Sequence, residues 1–334
     1  MNVSTGIEAR HLRTGAALTL LGMGAAQFGN LNVVTSDARS SEAVARAYRA
    51  GVRYFDAAPH YGLGLSERRL GAALREFPRN SYTLSTKVGR LLVDSPETAG
   101  RMDDEGFVVP ADRKRVWDFS RDGIRRSVEA SLARLGTDRL DIVFLHDPDE
   151  FWHAASTTGI AALIELRDEG VINAVGAGMN QATMLADFVE RTDVDVVMVA
   201  GRFTLLDDAA LQRLLPAAVE RGVGVIAAGV YNSGLLSASN VRSDAHFDYG
   251  PAPRPMIERA RAIAAICESY GVALPAAAIQ YPLRHPAVTS VVVGNRTAQH
   301  VDSNLERFRT PIPDELWAEL DVSGLAPNPI GTLR

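Results

Sequence analysis

The chain has 334 residues, of which 46% are hydrophobic and 22% are charged, and its formal net charge is −5. These values are typical of a globular protein with one large α/β domain or two smaller ones, and the negative charge argues against nucleic acid and anionic membranes as partners. No apolar run approaches the roughly 18 residues that a membrane span requires. Cys267 is the only cysteine, which excludes an intrachain disulfide and a cysteine metal site, and we expect a cytoplasmic protein.

The N-terminal segment resembles a signal peptide only weakly. Basic residues at positions 10 to 13 precede an apolar run from Ala16 to Ala26, but Glu8 lies ahead of the run and glycines interrupt it. We therefore expect this segment to belong to the fold, with Leu12 to Leu18 forming a short hairpin that covers the bottom of the domain.

Apolar segments that end in glycine, small or polar residues alternate with helical patterns. The predicted strands are Leu20–Gly24, Arg53–Ala57, Tyr82–Lys87, Asp141–His146, Ala174–Gly178, Asp195–Val199, Gly224–Ala228 and Ser290–Val293. The predicted helices, whose apolar residues recur at three- and four-residue spacing, are Ser41–Ala50, Glu67–Glu76, Ser120–Leu135, Thr157–Glu169, Gln181–Arg191, Asp208–Arg221, Met256–Tyr270 and Thr297–Phe308. Ser66 is interpreted as the N-cap of the second helix.

This alternation predicts a closed (β/α)8 barrel. Strict alternation requires parallel strands joined by helical crossovers, and eight such units suit a barrel better than an open sheet. The rival, an open nucleotide-binding fold, lacks its glycine fingerprint, because Gln27 follows Gly22 and Gly24 where a third glycine is required. We predict a single barrel domain over residues 1–334.

Two connections are longer than the others, Gly89 to Phe119 and Gly229 to Pro255. Both leave the C-terminal ends of predicted strands, which is the face where barrel enzymes build their pockets. Because loops of this length without helical or strand patterns are uncommon and both contain aromatic residues, we interpret them as lids.

Asp56, Lys87 and His146 lie at or next to the C-terminal ends of the second, third and fourth strands, and Tyr61 lies in the loop after Asp56. Neighbouring strands are about 5 Å apart, so these side chains can meet at one rim. Each alone has an ordinary interpretation: a loop-capping acid, a solvent-exposed lysine, a hydrogen-bonded rim histidine and a loop aromatic. The four together indicate a catalytic site.

The chemistry of these four residue types is coherent. A tyrosine hydroxyl has a pKa of about 10, and a neighbouring cation favours the phenolate and lowers that pKa. Asp56 can hold Lys87 against Tyr61, and His146 can orient a substrate oxygen. Since the sequence shows neither an activated nucleophile nor metal-ligand spacing, this acid/base suits proton transfer coupled to the hydride step of a cofactor.

The stretch from Gly51 to Gly62, together with the four residues, resembles the aldo-keto reductase family, and the resemblance covers nearly the whole chain. It implies a nicotinamide cofactor, NAD or NADP, bound extended across the barrel mouth. Hydride would pass directly between the nicotinamide and the substrate carbon, with Tyr61 as the general acid or base.

The resemblance also implies a set of cofactor contacts. The segment from Ser290 to Asn304 is similar to the family's adenosine-phosphate segment, and a helix N-terminus there suits a phosphate. Tyr231 to Leu235 would cross the pyrophosphate, Phe203 would stack on the nicotinamide and Asn180 would bind its carboxamide. The predicted cofactor residues are Gly24, Asn180, Phe203, Tyr231, Ser233, Gly234, Leu235, Gly294, Asn295, Arg296, His300 and Asn304.

The sequence departs from the family pattern at several of these places. Gly178 and Met179 replace the usual Ser-Asn pair after the fifth strand, and for this reason Asn180 is expected to bind the carboxamide of the nicotinamide. Ala200 replaces the glutamine that usually precedes the stacking aromatic residue.

Near the adenosine end, Gly294 and His300 stand where many NADP-specific members carry basic residues. Fewer cations around a 2′-phosphate weaken the preference for NADP, whereas Arg296 supports it, so both cofactors remain open.

Several stretches are similar to the branch of the family that oxidises the anomeric hydroxyl of an aldose, such as L-fucose, D-arabinose or L-galactose, to a lactone. They are Tyr61–Leu70, Trp117–Gly123, Val175–Gln181 and Ala200–Leu206. Trp117 and Phe119 would stack on the sugar or, alternatively, only pin the lid to the rim. The alternatives are an NADPH-dependent aldehyde or ketone reductase, a pyridoxal 4-dehydrogenase, or a catalytically idle nucleotide-binding subunit; the chain would be a monomer or a homo-oligomer.

Overall fold

The computed structural model describes residues 6–330. The strands in this part of the chain are β1 (Ala9–His11), β2 (Ala17–Thr19), β3 (Leu21–Gly24), β4 (Tyr54–Asp56), β5 (Thr83–Val88), β6 (Arg90–Asp94), β7 (Arg113–Trp117), β8 (Leu140–His146), β9 (Ile172–Met179), β10 (Val196–Ala200), β11 (Gly224–Ala228), β12 (His246–Phe247), β13 (Gly250–Pro251) and β14 (Val288–Gly294). The barrel is closed by β3, β4, β5, β8, β9, β10, β11 and β14, all parallel. These are the eight predicted strands, and the barrel prediction is confirmed.

The helices are α1 (Asp37–Arg49), α2 (Leu65–Leu74), α3 (Arg121–Leu135), α4 (Trp152–Ala154), α5 (Ile160–Asp168), α6 (Ala182–Arg191), α7 (Ala209–Gln212), α8 (Leu214–Arg221), α9 (Arg254–Ser269), α10 (Leu274–Gln280), α11 (Ala298–Arg309) and α12 (Asp314–Ser323). Helices α4, α10 and α12 were not predicted. A single helix was predicted over 208–221, but it is divided into α7 and α8 because Arg213, with φ −142°, leaves the helical conformation.

The beginning of α2 corrects one prediction. The helix begins at Leu65, directly after Gly64, which has a left-handed φ of 85°. Ser66 therefore lies inside the helix and is not its N-cap. Its hydroxyl instead donates a hydrogen bond to the carbonyl of Ala25 over 2.7 Å, which ties α2 to the end of β3.

The N-terminal hairpin closes the bottom of the barrel, as predicted. Strands β1 and β2 pair antiparallel, and the buried Leu12 and Leu18 pack into the barrel interior. Gly224 leaves space for the Leu12 side chain of this hairpin, because a Cβ atom at position 224 would lie 2.4 Å from a methyl group of Leu12.

The two long loops carry small sheets. Strands β6 and β7 form an antiparallel hairpin within residues 89–119, and β12 and β13 form a shorter one within residues 229–255. In residues 6–330 no single helix is long and apolar enough to cross a membrane, although α9 and the segment 274–284, bent by 100°, meet the length and composition criteria as a pair.

Candidate active site

The four predicted residues meet at one rim of the barrel. Asp56 ends β4, Lys87 lies near the end of β5 and His146 ends β8; their side chains are 2–6% exposed. Tyr61 lies in the turn beyond β4, and its ring centroid is 5.7 Å from that of His146. The strands supply three of these side chains at one level because β4, β5 and β8 are adjacent and in parallel register.

The hydrogen bonds of Lys87 determine how the Tyr61 hydroxyl is oriented. The ammonium donates to Asp56 Oδ2 over 2.6 Å, to the carbonyl of Ala57 over 3.0 Å and to the Tyr61 hydroxyl oxygen over 3.2 Å. An ammonium has three protons, and all three are used. The Tyr61 oxygen accepts one of them, so its own proton is left to point elsewhere.

Burial and charge act on these groups in opposite directions. Burial lowers the pKa of Lys87, but Asp56 and Tyr61 raise it more, so the lysine stays charged. Burial raises the pKa of Tyr61 and outweighs the lowering effect of Lys87. Lys87 thus acts on the Tyr61 pKa in the predicted direction, while the net shift in this structure is upward.

His146 is neutral at physiological pH. Burial, reinforced by the charges of Arg90 and Lys87, holds the pKa of its imidazole well below the usual range. Among residues 6–330, its buried Nδ1 has no hydrogen-bond partner, and its Nε2 is 3.5 Å from Asp147 Oδ2. A neutral imidazole carries one donor and one acceptor, so His146 can still hydrogen-bond a substrate oxygen.

The structure adds a polar cluster that the sequence analysis missed. Arg90 donates to Asp147 Oδ2 over 2.6 Å and to His60 Nδ1 over 3.3 Å, and its guanidinium lies 4.4 Å above the Trp117 ring. Asp147 has a left-handed φ of 41°, an unfavourable conformation for a residue other than glycine. His60 and Asp147 are sequence neighbours of Tyr61 and His146, and that adjacency is the signal that could have found them.

Phe107, in the loop between β6 and β7, packs beside Tyr61. It is 3% exposed, and its ring centroid is 5.2 Å from that of His60 and 6.1 Å from that of Tyr61. No periodic pattern marks this loop, and its contact with Tyr61 is visible only in three dimensions.

Trp117 and Phe119 were expected either to stack on a sugar or only to pin the lid to the rim, and their contacts favour the second role. Phe119 is 4% exposed, packs against Trp117 and Phe151, and lies directly over Gly89. It therefore anchors the β6–β7 hairpin and presents no open face to a substrate. Trp117 is partly buried between Phe119 and Arg90, so its contacts orient Arg90.

Phe203 is likewise not available to a nicotinamide ring. It is 1% exposed and packs against Tyr281 and His285 in the core. The prediction that Phe203 stacks on the cofactor is wrong. The matching sequence position did not reveal that the Phe203 ring packs against Tyr281 and His285, residues that lie far away in the chain.

The loop after β11 has an unusual backbone, since Asn232, Ser233 and Gly234 all have left-handed φ values, of 44°, 55° and 99°. The N–H groups of Asn232, Gly234 and Leu235 are used within the loop, where they donate to the carbonyl oxygens of Gly229, Tyr231 and Asn232 over 2.9–3.1 Å. The buried Oδ1 of Asn232 has no partner within residues 6–330 and can accept a hydrogen bond from a ligand. Leu235 is 2% exposed and presents no open side chain to a cofactor.

The adenosine end shows an arginine without a carboxylate partner among the described residues. Arg296 donates to the carbonyl oxygens of Val33 and Leu31 and to the Thr35 hydroxyl, at 2.6–2.7 Å. It stands next to Thr297, the N-cap of α11. An uncompensated cation beside a helix N-terminus suits a phosphate group.

The remaining predicted cofactor residues surround this rim. Asn304 donates to Asn295 and accepts from the Tyr231 hydroxyl, both over 2.9 Å. Asn180 donates to the carbonyl of Ala200 over 2.9 Å and to the hydroxyl of Tyr249 over 3.3 Å.

Gly24 and Gly294 pair in the barrel, and a Cβ atom on Gly294 would lie 2.3 Å from the Gln27 side chain. His300 is exposed on α11. Two features fit a dinucleotide: the Asn232 Oδ1, which lacks a partner within residues 6–330, and the Arg296 cation beside the N-terminus of α11.

The chain belongs to the aldo/keto reductase family, whose model matches residues 20–323. It is 45% identical over 318 residues to D-threo-aldose 1-dehydrogenase from Pseudomonas sp, covering 94% of this chain and 97% of that protein. It is 39% identical over 332 residues to pyridoxal 4-dehydrogenase from Microbacterium luteolum, covering 94% and 96%. An aldo-keto reductase from Bacillus halodurans in its holo form shares the fold, with a TM-score of 0.73 and 24% identity over 96% of this chain and 97% of that one.

Family membership and these relatives identify the protein as an NAD(P)-dependent oxidoreductase, as the sequence predicted.

Proposed function

We propose that the protein oxidises the anomeric C1 hydroxyl of an aldose to the lactone. The observation that carries the proposal is the use of all three Lys87 protons, which makes the Tyr61 oxygen an acceptor and leaves its other side for a substrate hydroxyl. The D-threo-aldose 1-dehydrogenase relative, at 45% identity, supports an aldose as that substrate.

In this proposal Tyr61, as the phenolate, takes the proton of the C1 hydroxyl, and Lys87 stabilises the phenolate. His146 hydrogen-bonds the same substrate oxygen and orients it. A nicotinamide held at the barrel mouth would supply the acceptor for the hydride of C1. Asp56 keeps the Lys87 ammonium charged and in place, which agrees with the upward pKa shift of that lysine.

The polar cluster above Tyr61 supports a polyhydroxylated substrate. Arg90 offers N–H donors, and Asp147, with 32% of its side chain exposed, offers carboxylate oxygens. A sugar presents neighbouring hydroxyls that both donate and accept, which such a pair can bind. The sugar is therefore held by hydrogen bonds, because Trp117 and Phe119 are occupied with other contacts.

A second candidate is the oxidation of pyridoxal. The pyridoxal 4-dehydrogenase relative is 39% identical over 94% of this chain, and the partly exposed His60 ring beside Tyr61 suits an aromatic substrate. The two candidates share the acid/base residues and differ in what binds the remainder of the substrate.

A substrate panel separates the candidates. Purified protein is incubated with L-fucose, D-arabinose, L-galactose or pyridoxal and with NAD or NADP, and nicotinamide absorbance is followed in both directions. We expect aldose-dependent reduction of the cofactor. Oxidation of pyridoxal without oxidation of any aldose would support the second candidate, and reduction of carbonyl compounds by NADPH alone would contradict both.

A further inference from the structure

A line of polar side chains descends from the active site into the barrel interior. Tyr54 and Asp56 both point inward from β4, two residues apart, and Ser85 lies opposite Asp56 on β5. Their exposed fractions are 0%, 3% and 0%, respectively. Neither Tyr54 nor Ser85 was singled out by the sequence analysis.

The hydrogen bonds in this line have only one possible direction. Ser85 Oγ lies 2.7 Å from Asp56 Oδ1, and an ionised carboxylate only accepts, so the serine donates. The serine proton is then used, and the Tyr54 hydroxyl, 3.0 Å from Ser85 Oγ, donates to it. Both oxygens of Asp56 are thereby occupied, since Oδ2 accepts from Lys87 over 2.6 Å.

The location of the Tyr54 hydroxyl is otherwise unfavourable. The ring packs in the apolar barrel interior with Ile142, Phe144 and Met198, and Gly22 makes room for it, since a Cβ atom there would lie 2.7 Å from the ring. Burying a hydroxyl in such a layer costs free energy that a phenylalanine would avoid. The hydroxyl is retained with Ser85 as its partner. Burial, followed by the charge of Asp56, raises the pKa of Tyr54 well above its usual value, so it remains a donor.

We propose that Ser85 and Tyr54 are positioning residues, which hold the Asp56 carboxylate so that Oδ2 faces Lys87 and Lys87 faces Tyr61. With the carboxylate free to turn, the ammonium loses its defined place against the Tyr61 oxygen. The inference rests on the role of Tyr61 as acid or base under the proposed function.

The test compares variants with the wild-type enzyme in the reduction of any aldehyde that the wild type turns over, so that it does not depend on aldose oxidation. In Ser85→Ala we expect kcat to fall about tenfold while KM and cofactor affinity stay unchanged. Because Lys87 then stabilises the phenolate less well, the decline of kcat at alkaline pH should move to higher pH. Ser85→Thr retains the hydroxyl and should restore both kcat and the pH profile.

Ser40→Ala is the matched control. Ser40 is also 0% exposed, and its hydroxyl donates over 3.1 Å to the carbonyl of Ser36 at the start of α1, away from the four catalytic candidates. This variant should keep the wild-type kcat and pH profile. An equal loss in Ser85→Ala and Ser40→Ala, without a shift in the pH profile, would overturn the proposal.

Tyr54→Phe removes one oxygen and leaves the Ser85–Asp56 bond in place, so we expect a smaller fall in kcat and a pH shift in the same direction. If Ser85→Ala does not fold, Tyr54→Phe provides the test. A kcat and a pH profile equal to those of the wild type in Tyr54→Phe would then overturn the proposal. Tyr61→Phe serves as the reference for the proposed function. If this variant turns over substrate as fast as the wild type, the proposed function itself is contradicted.

Discussion

The ammonium of Lys87 donates a hydrogen bond to the hydroxyl of Tyr61 over 3.2 Å, across a sequence separation of 26 residues. The lysine is contributed by β5 and the tyrosine by the turn after the neighbouring β4, so their contact depends on the pairing of these two strands. The catalytic proposal depends on this contact.

Replacing Tyr61 with phenylalanine removes the proposed acid/base and little else. We expect turnover to fall by about a thousandfold or more, since general acid–base catalysis contributes that order of magnitude. Cofactor affinity, measured by fluorescence titration, should remain close to wild type. Turnover near the wild-type value would remove Tyr61 from its proposed role.

Lys87→Met leaves the carboxylate of Asp56 buried without its cation. We expect the free energy of unfolding, measured with urea, to fall by about 3 kcal/mol, because an unpaired buried charge is costly. The double variant Lys87→Met, Asp56→Asn should regain much of that stability and no activity. If the single variant is as stable as wild type, the pair does not stabilise the fold.

Buried neutral histidines make stability dependent on pH. Burial, with Arg90 and Arg115, lowers the pKa of His60 to about 2. The unfolded chain binds a proton at His60 below about pH 6.5 and the folded chain does not, so stability falls as the pH drops through that range. Between about pH 7.5 and about pH 5, His60→Gln should lose about 2 kcal/mol less than wild type in urea unfolding.

The control for that measurement is His153→Gln, at an exposed position on α4. It should show the wild-type dependence on pH. An identical pH dependence in His60→Gln and wild type would contradict the prediction.

The loop after β11 is held over the barrel mouth by a salt bridge between Arg202 and Asp248, at 2.7 Å. Both side chains are partly exposed, so the pair is worth at most about 1 kcal/mol. Asp248→Asn should therefore speed cofactor release up to about fivefold in stopped-flow fluorescence. Asp244→Asn, which breaks a salt bridge to Arg242 within the same loop, is the control and should release cofactor at the wild-type rate.

Arg296 is the cation that could bind a 2′-phosphate. Arg296→Met should weaken NADP binding by about tenfold, the effect of losing a charged hydrogen bond, and leave NAD binding nearly unchanged. Arg309→Met, at the other end of α11, also removes an arginine that donates to a backbone carbonyl and should affect neither. If Arg296→Met weakens the binding of NAD and NADP equally, this arginine does not bind the 2′-phosphate.

Patterns that repeat along the chain were read correctly from the sequence. The strands are short apolar runs between helices of regular spacing, and both are local properties. Asp56, Lys87 and His146 could be placed together because parallel strands bring their C-terminal ends to one edge. Tyr61 follows from its position in the turn after β4.

Predictions that depended on the direction in which a side chain points were less successful. Ser66 was taken as an N-cap, but a left-handed Gly64 starts the helix earlier, and the serine binds Ala25 instead. Phe203 occupies a plausible position in the sequence, yet its ring is buried against the distant Tyr281.

The sequence by itself determined the barrel and the four residues at its rim, because strand periodicity and strand ends are encoded within a few neighbouring positions. Only the tertiary structure decided which other side chains surround Tyr61. Arg90 and Phe107 reach its surroundings from the connection 89–119 and Asp147 from the end of β8, while Ser85 and Tyr54 support Asp56 from below. These contacts join residues far apart in the chain, and long-range packing rather than local pattern selects among the conformations that each segment can adopt.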